Sequence, residues 1–165
     1  MTKQFILLFW FIIEAVGVLA CQTSSGVQVD TILCVNFQDG CGINYTIIQT
    51  AEMQDDQWID STRILTVSYG SKKAIIHLPI PDEGVKNFSI EGITQDYDGF
   101  SLTTSQGGGT CIIRRTFIFK VIHHQLFLGG IISEFGSFDS EDLAIETQTF
   151  HPKLKIDEIE LMPFL

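Results

Sequence analysis

The chain has 165 residues, of which 45% are hydrophobic and 18% charged, so it can bury a core and is not a disordered segment. Acidic side chains outnumber basic ones 20 to 10, a net charge of −10. That sign argues against nucleic acid and against direct binding to anionic lipid headgroups, both of which need a field of Lys and Arg.

The first four residues carry one positive charge, Lys3, and Phe5 to Ile13 (FILLFWFII) is an unbroken apolar run. Nine residues fall well short of the roughly 20 needed to cross a bilayer, so residues 1–20 are expected to be a signal peptide. Removing them takes away one acid (Glu14) and one base (Lys3), so the mature net charge is unchanged. Residues 21–26 then form a polar, small-residue tether, and residues 27–165 one domain.

Two processing schemes fit the bond before Cys21. Val18 and Ala20 satisfy the small-residue rule of an ordinary signal peptidase, giving a soluble secreted protein. Val18-Leu19-Ala20-Cys21 also resembles the lipobox of bacterial lipoproteins, although Leu19 stands where a smaller residue is usual. The resemblance implies lipidation at Cys21 and an envelope location, with Gln22 pointing to the outer membrane or cell surface. Membrane attachment would then be through the lipid anchor alone. Two N-x-[ST] sequons, at Asn44 and Asn87, are the opposing hint: in a eukaryotic secreted protein they would accept glycans.

In an oxidising compartment Cys34 and Cys41, flanking an expected turn, are the local disulfide pair, with Cys111 left as a free buried thiol. If Cys21 keeps its thiol, four cysteines allow three pairings. Cys34 and Cys41 lack the spacing of a zinc site.

Period-two alternation then dominates. Val27, Val29, Leu33, Val35 and Phe37 share one strand face, Gln38-Asp39-Gly40 turns the chain, and Ile43, Tyr45 and Ile47 resume the pattern as a hairpin. Leu65, Val67 and Tyr69 mark a third strand, and Ala74 to Ile80 a fourth that Pro79 and Pro81 must end or place at an edge. Strands near Phe88–Ile90 and Phe100–Leu102 follow, then a triple-glycine loop at 107–109. Cys111, Ile113, Phe117, Phe119 and Val121 lie on one face of the next strand, with Ile112, Ile118 and Ile122 on the other, the pattern of a central strand covered on both sides. Gly129-Gly130 suggests a bulge, Ser140-Glu141-Asp142 the start of a short helix near 140–146, and the phase shift at Asp157-Glu158 a second bulge. Eight or nine short strands with Gly- and Asp-rich turns predict an all-β protein, a single β-sandwich of jelly-roll or Ig-like type.

Trp58 sits among Asp55, Asp56 and Asp60. An indole can stack on a pyranose while carboxylates accept hydroxyl hydrogen bonds, so Trp58, Asp56 and Asp60 are candidate sugar contacts. The competing reading packs Trp58 into the core at the start of a strand. Asp96-Tyr97-Asp98-Gly99 is a second acidic-aromatic loop in which Tyr97 is a candidate contact and Asp96 and Asp98 could share a Ca²⁺, given a third ligand; turn geometry alone also explains them. No other cofactor is expected. His123-His124, placed on a strand, would point to opposite faces and could not chelate together. G-x-S-x-G, S-x-x-K and H-E-x-x-H are absent, so no catalytic residue is assigned. Residues 134–165 hold eight acids against Lys153 and Lys155, as in a solvated face.

The closing segment Lys155-Ile156-Asp157-Glu158-Ile159-Glu160-Leu161 is similar to the last strand of carbohydrate-binding jelly rolls, with their I-D-x-I-x-L ending. The likeness covers about seven residues and implies a sugar ligand and a structural role for Asp157. The expectation is an exported, lipid-anchored, non-catalytic binding module with carbohydrate as ligand. The alternatives are a structural or assembly protein that binds a protein partner and, last, a small hydrolase whose site residues are scattered.

Overall fold

The structure, a computed structural model, describes residues 28–55, 57–80, 86–108, 111–137 and 140–165, and for residues 58, 60, 137 and 140–143 their strand backbone only. Ten strands are found among these residues: β1 (Gln28–Gln38), β2 (Asn44–Gln54), β3 (Gln57–Tyr69), β4 (Lys72–His77), β5 (Ser89–Asp96), β6 (Gly99–Gly108), β7 (Cys111–Ile122), β8 (Gln125–Ser137), β9 (Ser140–Ile156) and β10 (Glu158–Glu160). They form two five-stranded sheets, ordered β1-β2-β3-β4-β10 and β5-β6-β7-β8-β9. The β-sandwich is as expected. Its strand order is not the interleaved one of a jelly roll or an Ig-like domain, because sequence neighbours pair in two meanders and only β10 returns to the first sheet.

Alternation decides which side of each strand is buried. Tyr45, Ile47, Leu65, Val67, Ala74 and Ile76 face inward from the first sheet; Phe100, Leu102, Phe117, Phe119, Leu126 and Leu128 face inward from the second. At about 25 cal/mol per Å² of apolar surface removed from water, these side chains dominate the stability. β7 is the middle strand of its sheet, as its composition foretold, but its second face is only half-covered: Ile118 and Ile122 are intermediate in exposure and Ile112 is exposed. The expected cover on that side is lacking in the described chain.

Four further expectations are corrected. Residues 140–146 are strand, not helix: Ala144 lies opposite Phe135 and Glu146 opposite Ser133, and pairing along the β8 edge outweighs capping signals that a helix of two turns could not sustain. The Cys34–Cys41 disulfide is not formed, and both thiols are free and exposed. Cys34 lies within β1 while Cys41 lies in the turn beyond its end, and the four strand residues to Gln38 alone span roughly 13 Å. A disulfide needs Cα atoms within about 7 Å. Cys111 is free but exposed, not buried, at the outer end of β7. The triple glycine is not wholly a loop, since Gly107 pairs with Ile112 and Gly108 with Cys111 in the β6–β7 ladder.

The bulge at Gly129 is present, as a register shift between Leu128 and Gly130. The phase shift at Asp157-Glu158 has a different cause from a bulge. There the chain leaves the second sheet after Ile156 and joins the first, where β10 runs parallel to β4 with Ile159 opposite Ile76. The segment likened to a jelly-roll strand is thus two short pieces in two sheets.

A buried aromatic cluster locks the sheets at one end. Phe37 stacks on Tyr45 (4.9 Å between ring centroids) and Phe100 on Phe119 (4.8 Å), and Tyr45 meets Phe100 edge-on at 5.8 Å across the sandwich. Tyr45 Oη donates to Asp39 Oδ2 at 3.0 Å, and Asp39 Oδ1 accepts from the backbone N–H groups of Cys41 and Ile43, both at 2.9 Å. One buried carboxylate therefore shapes the β1–β2 turn and fixes the ring that bridges the sheets. Asp39→Ala would strand these donors, and urea denaturation should show a loss of about 3 kcal/mol, with Asp39→Asn losing far less.

Burial, reinforced by the Asp39 hydrogen bond and charge, raises the Tyr45 phenol well above its usual range. An unfolded tyrosine ionises near 10, so above about pH 10 the folded state holds a proton that the unfolded state has lost. Stability is expected to fall as pH rises through that point, by up to about 1.4 kcal/mol per pH unit from this group. Tyr45→Phe should give a shallower alkaline limb in denaturation midpoints measured from pH 8 to 11.

Candidate functional site

Four hairpin turns gather at the end of the sandwich above the aromatic cluster: residues 39–43, 70–71, 97–98 and 123–124. This crown follows from the meander, in which every odd-to-even connection emerges on the same side. The β1–β2 and β3–β4 turns belong to one sheet, the β5–β6 and β7–β8 turns to the other.

Tyr97, at the tip of the β5–β6 turn, is 77% exposed. Its ring is nonetheless held, because it lies against Gly40 so closely that a Cβ there would stand 2.5 Å from Tyr97 Cδ2. The Cδ2–Cε2 side of the ring borders the β1–β2 turn, and most of the residue meets solvent. The flanking acids are engaged elsewhere: Asp96 accepts a hydrogen bond from the Ser101 hydroxyl, and both oxygens of Asp98 accept from Lys120 Nζ at 3.0 and 2.9 Å. No group of three or more His, Cys, Asp or Glu able to hold a metal ion occurs among the described residues.

Beside this turn lies a cavity of about 610 Å³, lined by residues that include Asn44, Ser71, Lys72, His123 and His124, with Tyr69 and Val121 among its apolar walls. Tyr69 Oη accepts a hydrogen bond from Leu126 N at 3.3 Å, tying this wall to the opposite sheet. The two histidines are not on a strand, as their sequence context suggested, but form the two-residue β7–β8 turn, with φ of 49° and 59°. Such a turn demands left-handed backbone twice over, for which Asn-Gly is the usual solution. Two imidazoles in these positions are strained, and the absence of Gly or Asn is why sequence reading missed the turn. Lys72 was missed, and Asn44 read only as a sequon, for a different reason: a polar residue at a strand end carries no signal of a cavity until the neighbouring turn is in place.

Not all the sequence candidates meet here. Trp58 lies in β3 with its backbone opposite Met53, eight residues along β2 from Tyr45 and hence about 26 Å from the crown. Tyr97 and Trp58 thus belong to opposite ends and do not contact one small ligand. Asp56, and the side chains of Trp58 and Asp60, lie outside the described residues, as do the expected signal peptide, Cys21 and the expected tether. Of the sequons, Asn44 is exposed at the cavity rim. Asn87 instead donates from Nδ2 to the Gly107 carbonyl at 2.8 Å, and Phe88 beside it is buried.

No family model matches the chain, and searches of curated proteins and of solved structures find no match. Replacing the strained turn by its favoured sequence, His123→Asn with His124→Gly, is expected to stabilise the protein by about 1 kcal/mol in thermal or urea unfolding. An unchanged or lowered stability would mean that the imidazoles make compensating contacts.

Proposed function

We propose that this protein is an exported, lipid-anchored, non-catalytic binding module whose ligand is a carbohydrate, held at the crown. The observation that carries the reading is Tyr97: an aromatic ring 77% exposed yet fixed from behind by Gly40. A sugar stacks on such a ring without the entropy loss of ordering it, and base-free stacking surfaces of this kind suit the weakly polar face of a pyranose. Asn44, Ser71 and the two imidazoles nearby supply donors and acceptors for ring hydroxyls.

The direction of the chain supports the anchoring scheme. β1 begins at Gln28 at the end opposite the crown and runs eleven residues toward it, about 36 Å. A lipid on Cys21 would therefore hold the far end of the sandwich to the membrane and present the crown outward. Asp96 and Asp98, with Ser101 and Lys120 as partners, serve here as turn-fixing groups, and the reading needs no cofactor.

A protein-binding role is the second reading, favoured by β1, an edge strand among the described residues, where Val29 is 55% and Ile32 40% exposed. An added strand could pair there. Calorimetric titration with a panel of neutral oligosaccharides separates the two. Tyr97→Ala, and Gly40→Ala through displacement of the ring, are each expected to weaken sugar binding about tenfold, roughly 1.4 kcal/mol, without lowering the unfolding midpoint appreciably. Sugar binding untouched by both changes would refute the stacking role, and the intact mass of the native protein would show whether Cys21 carries lipid.

A further inference from the structure

The chain bears a net charge of −10, yet the crown cavity has the opposite local character. Among the described residues lining it there is no carboxylate, while Lys72, His123 and His124 all border it. Two other cations near this end are neutralised, Lys120 by Asp98 at 2.9 Å and Lys155 by Asp157 at 2.8 Å, while Lys73 follows Lys72 in β4 with its side chain on the opposite face of the strand. Lys72 makes no ion pair among the described residues. The strand phase explains its aim: Ala74 and Ile76 of β4 point into the core, so Lys72, two residues earlier, lies on the same side but beyond the core's end, over the cavity.

The remaining acids among the described residues do not cancel this field. Asp39 is buried under three hydrogen bonds, and Glu158 pairs with His77 at 2.6 Å on the outer face of the first sheet. Acids farther down the sandwich are screened, because the Debye length is about 8 Å at physiological ionic strength and the strands are several times longer. The turn adds a second pointer. Two left-handed non-glycine residues side by side are expensive to maintain, and such strain concentrates where the side chains themselves are needed. Each imidazole offers at least one N–H donor whether or not it is protonated.

We infer that the cavity formed by Lys72, His123 and His124 binds the anionic group of an acidic saccharide, a carboxylate or sulfate, at the same end of the sandwich as the Tyr97 ring. The saccharide part rests on the stacking role of Tyr97; the anion part stands on the cavity alone. An ammonium and imidazole N–H groups make charge-assisted hydrogen bonds to such a group, roughly twice as strong as neutral ones. Asn44 and Ser71 complete the rim with neutral donors.

The test titrates the full protein with tetragalacturonate, with neutral tetragalactose and with sodium sulfate, by calorimetry at low and high salt. Tetragalacturonate is expected to bind at least about tenfold more tightly than tetragalactose and to lose that advantage at high salt. Lys72→Gln should weaken the acidic ligand about tenfold and leave the neutral one alone. The His123→Asn/His124→Gly protein, whose turn is relieved and whose folding is therefore not at risk, should lose most of its preference for the acidic over the neutral ligand, beyond any loss of hydroxyl contacts common to both. Equal binding of the two oligosaccharides, or acidic binding indifferent to Lys72→Gln, overturns the anion site while sparing the sugar reading. Acidic binding that Tyr97→Ala leaves intact supports the anion site and removes the stacking role. Absence of binding by tetragalacturonate and sulfate overturns the anion site outright.

Discussion

The Asp39 carboxylate is the group on which the rest of this architecture leans. It is almost fully buried and accepts from two backbone N–H groups and one phenol. Without it the β1–β2 turn would have buried donors and no partner, and Tyr45 would have a hydroxyl in an apolar cluster. With it, the turn is held against the second sheet, Tyr45 takes the position from which it meets Phe100, and Gly40 comes to lie under Tyr97. A single local network thereby sets the turn, the spacing of the sheets and the platform at the surface. Buried polar groups of this kind add little net stability when satisfied but penalise every alternative arrangement that would leave them unpaired.

The crown is a consequence of connectivity. In a sheet built from successive hairpins, alternate turns fall at opposite ends, so two stacked meanders place four short turns over one end of the core. Short turns can carry chemistry because the strands below hold them; here the β5–β6 turn is further clamped where Val121 N donates to the Asp98 carbonyl at 2.9 Å. Gly99 lets the same turn approach β7, since a Cβ at that position would fall 2.1 Å from the Phe119 carbonyl oxygen. Rigid presentation of a few exposed groups is what the proposed binding role needs, and it arises from hydrogen-bonded turns rather than from a long loop.

Much of the fold was legible in the amino-acid sequence, because alternation of Tyr45, Ile47 and of Leu65, Val67, Tyr69 states directly which face is buried. Pro79 marked the end of β4 correctly, and Gly129-Gly130 the bulge in β8. Two of the errors concern strand pairing, which local propensity does not state. Residues 140–146 have helix-start chemistry, but β8 offers an open edge that no local signal reveals. The phase shift at Asp157 is the mark of a strand changing sheets, which a bulge mimics in one dimension. Of the site, Tyr97 was legible as an aromatic in an acidic turn, whereas its backing by Gly40 and its separation from Trp58 depend on which ends of the strands coincide.

The two histidines sharpen the relation between strain and use. A sequence optimised only for folding would put Asn-Gly between Ile122 and Gln125, where both central residues need positive φ. Keeping imidazoles there forgoes about 1 kcal/mol, a sizeable share of the margin of a domain of this size. Elsewhere in the same crown the positive-φ positions of the turns, Gly42 and Gly70, are filled by the residue that bears them without strain. Within the crown the departure is confined to the β7–β8 turn, whose two side chains border the cavity together with Lys72, a lysine without an ion pair among the described residues. Stability is relinquished at the place where charge and hydrogen-bond donors are gathered, and this coincidence is what supports the proposal that the crown is a binding end.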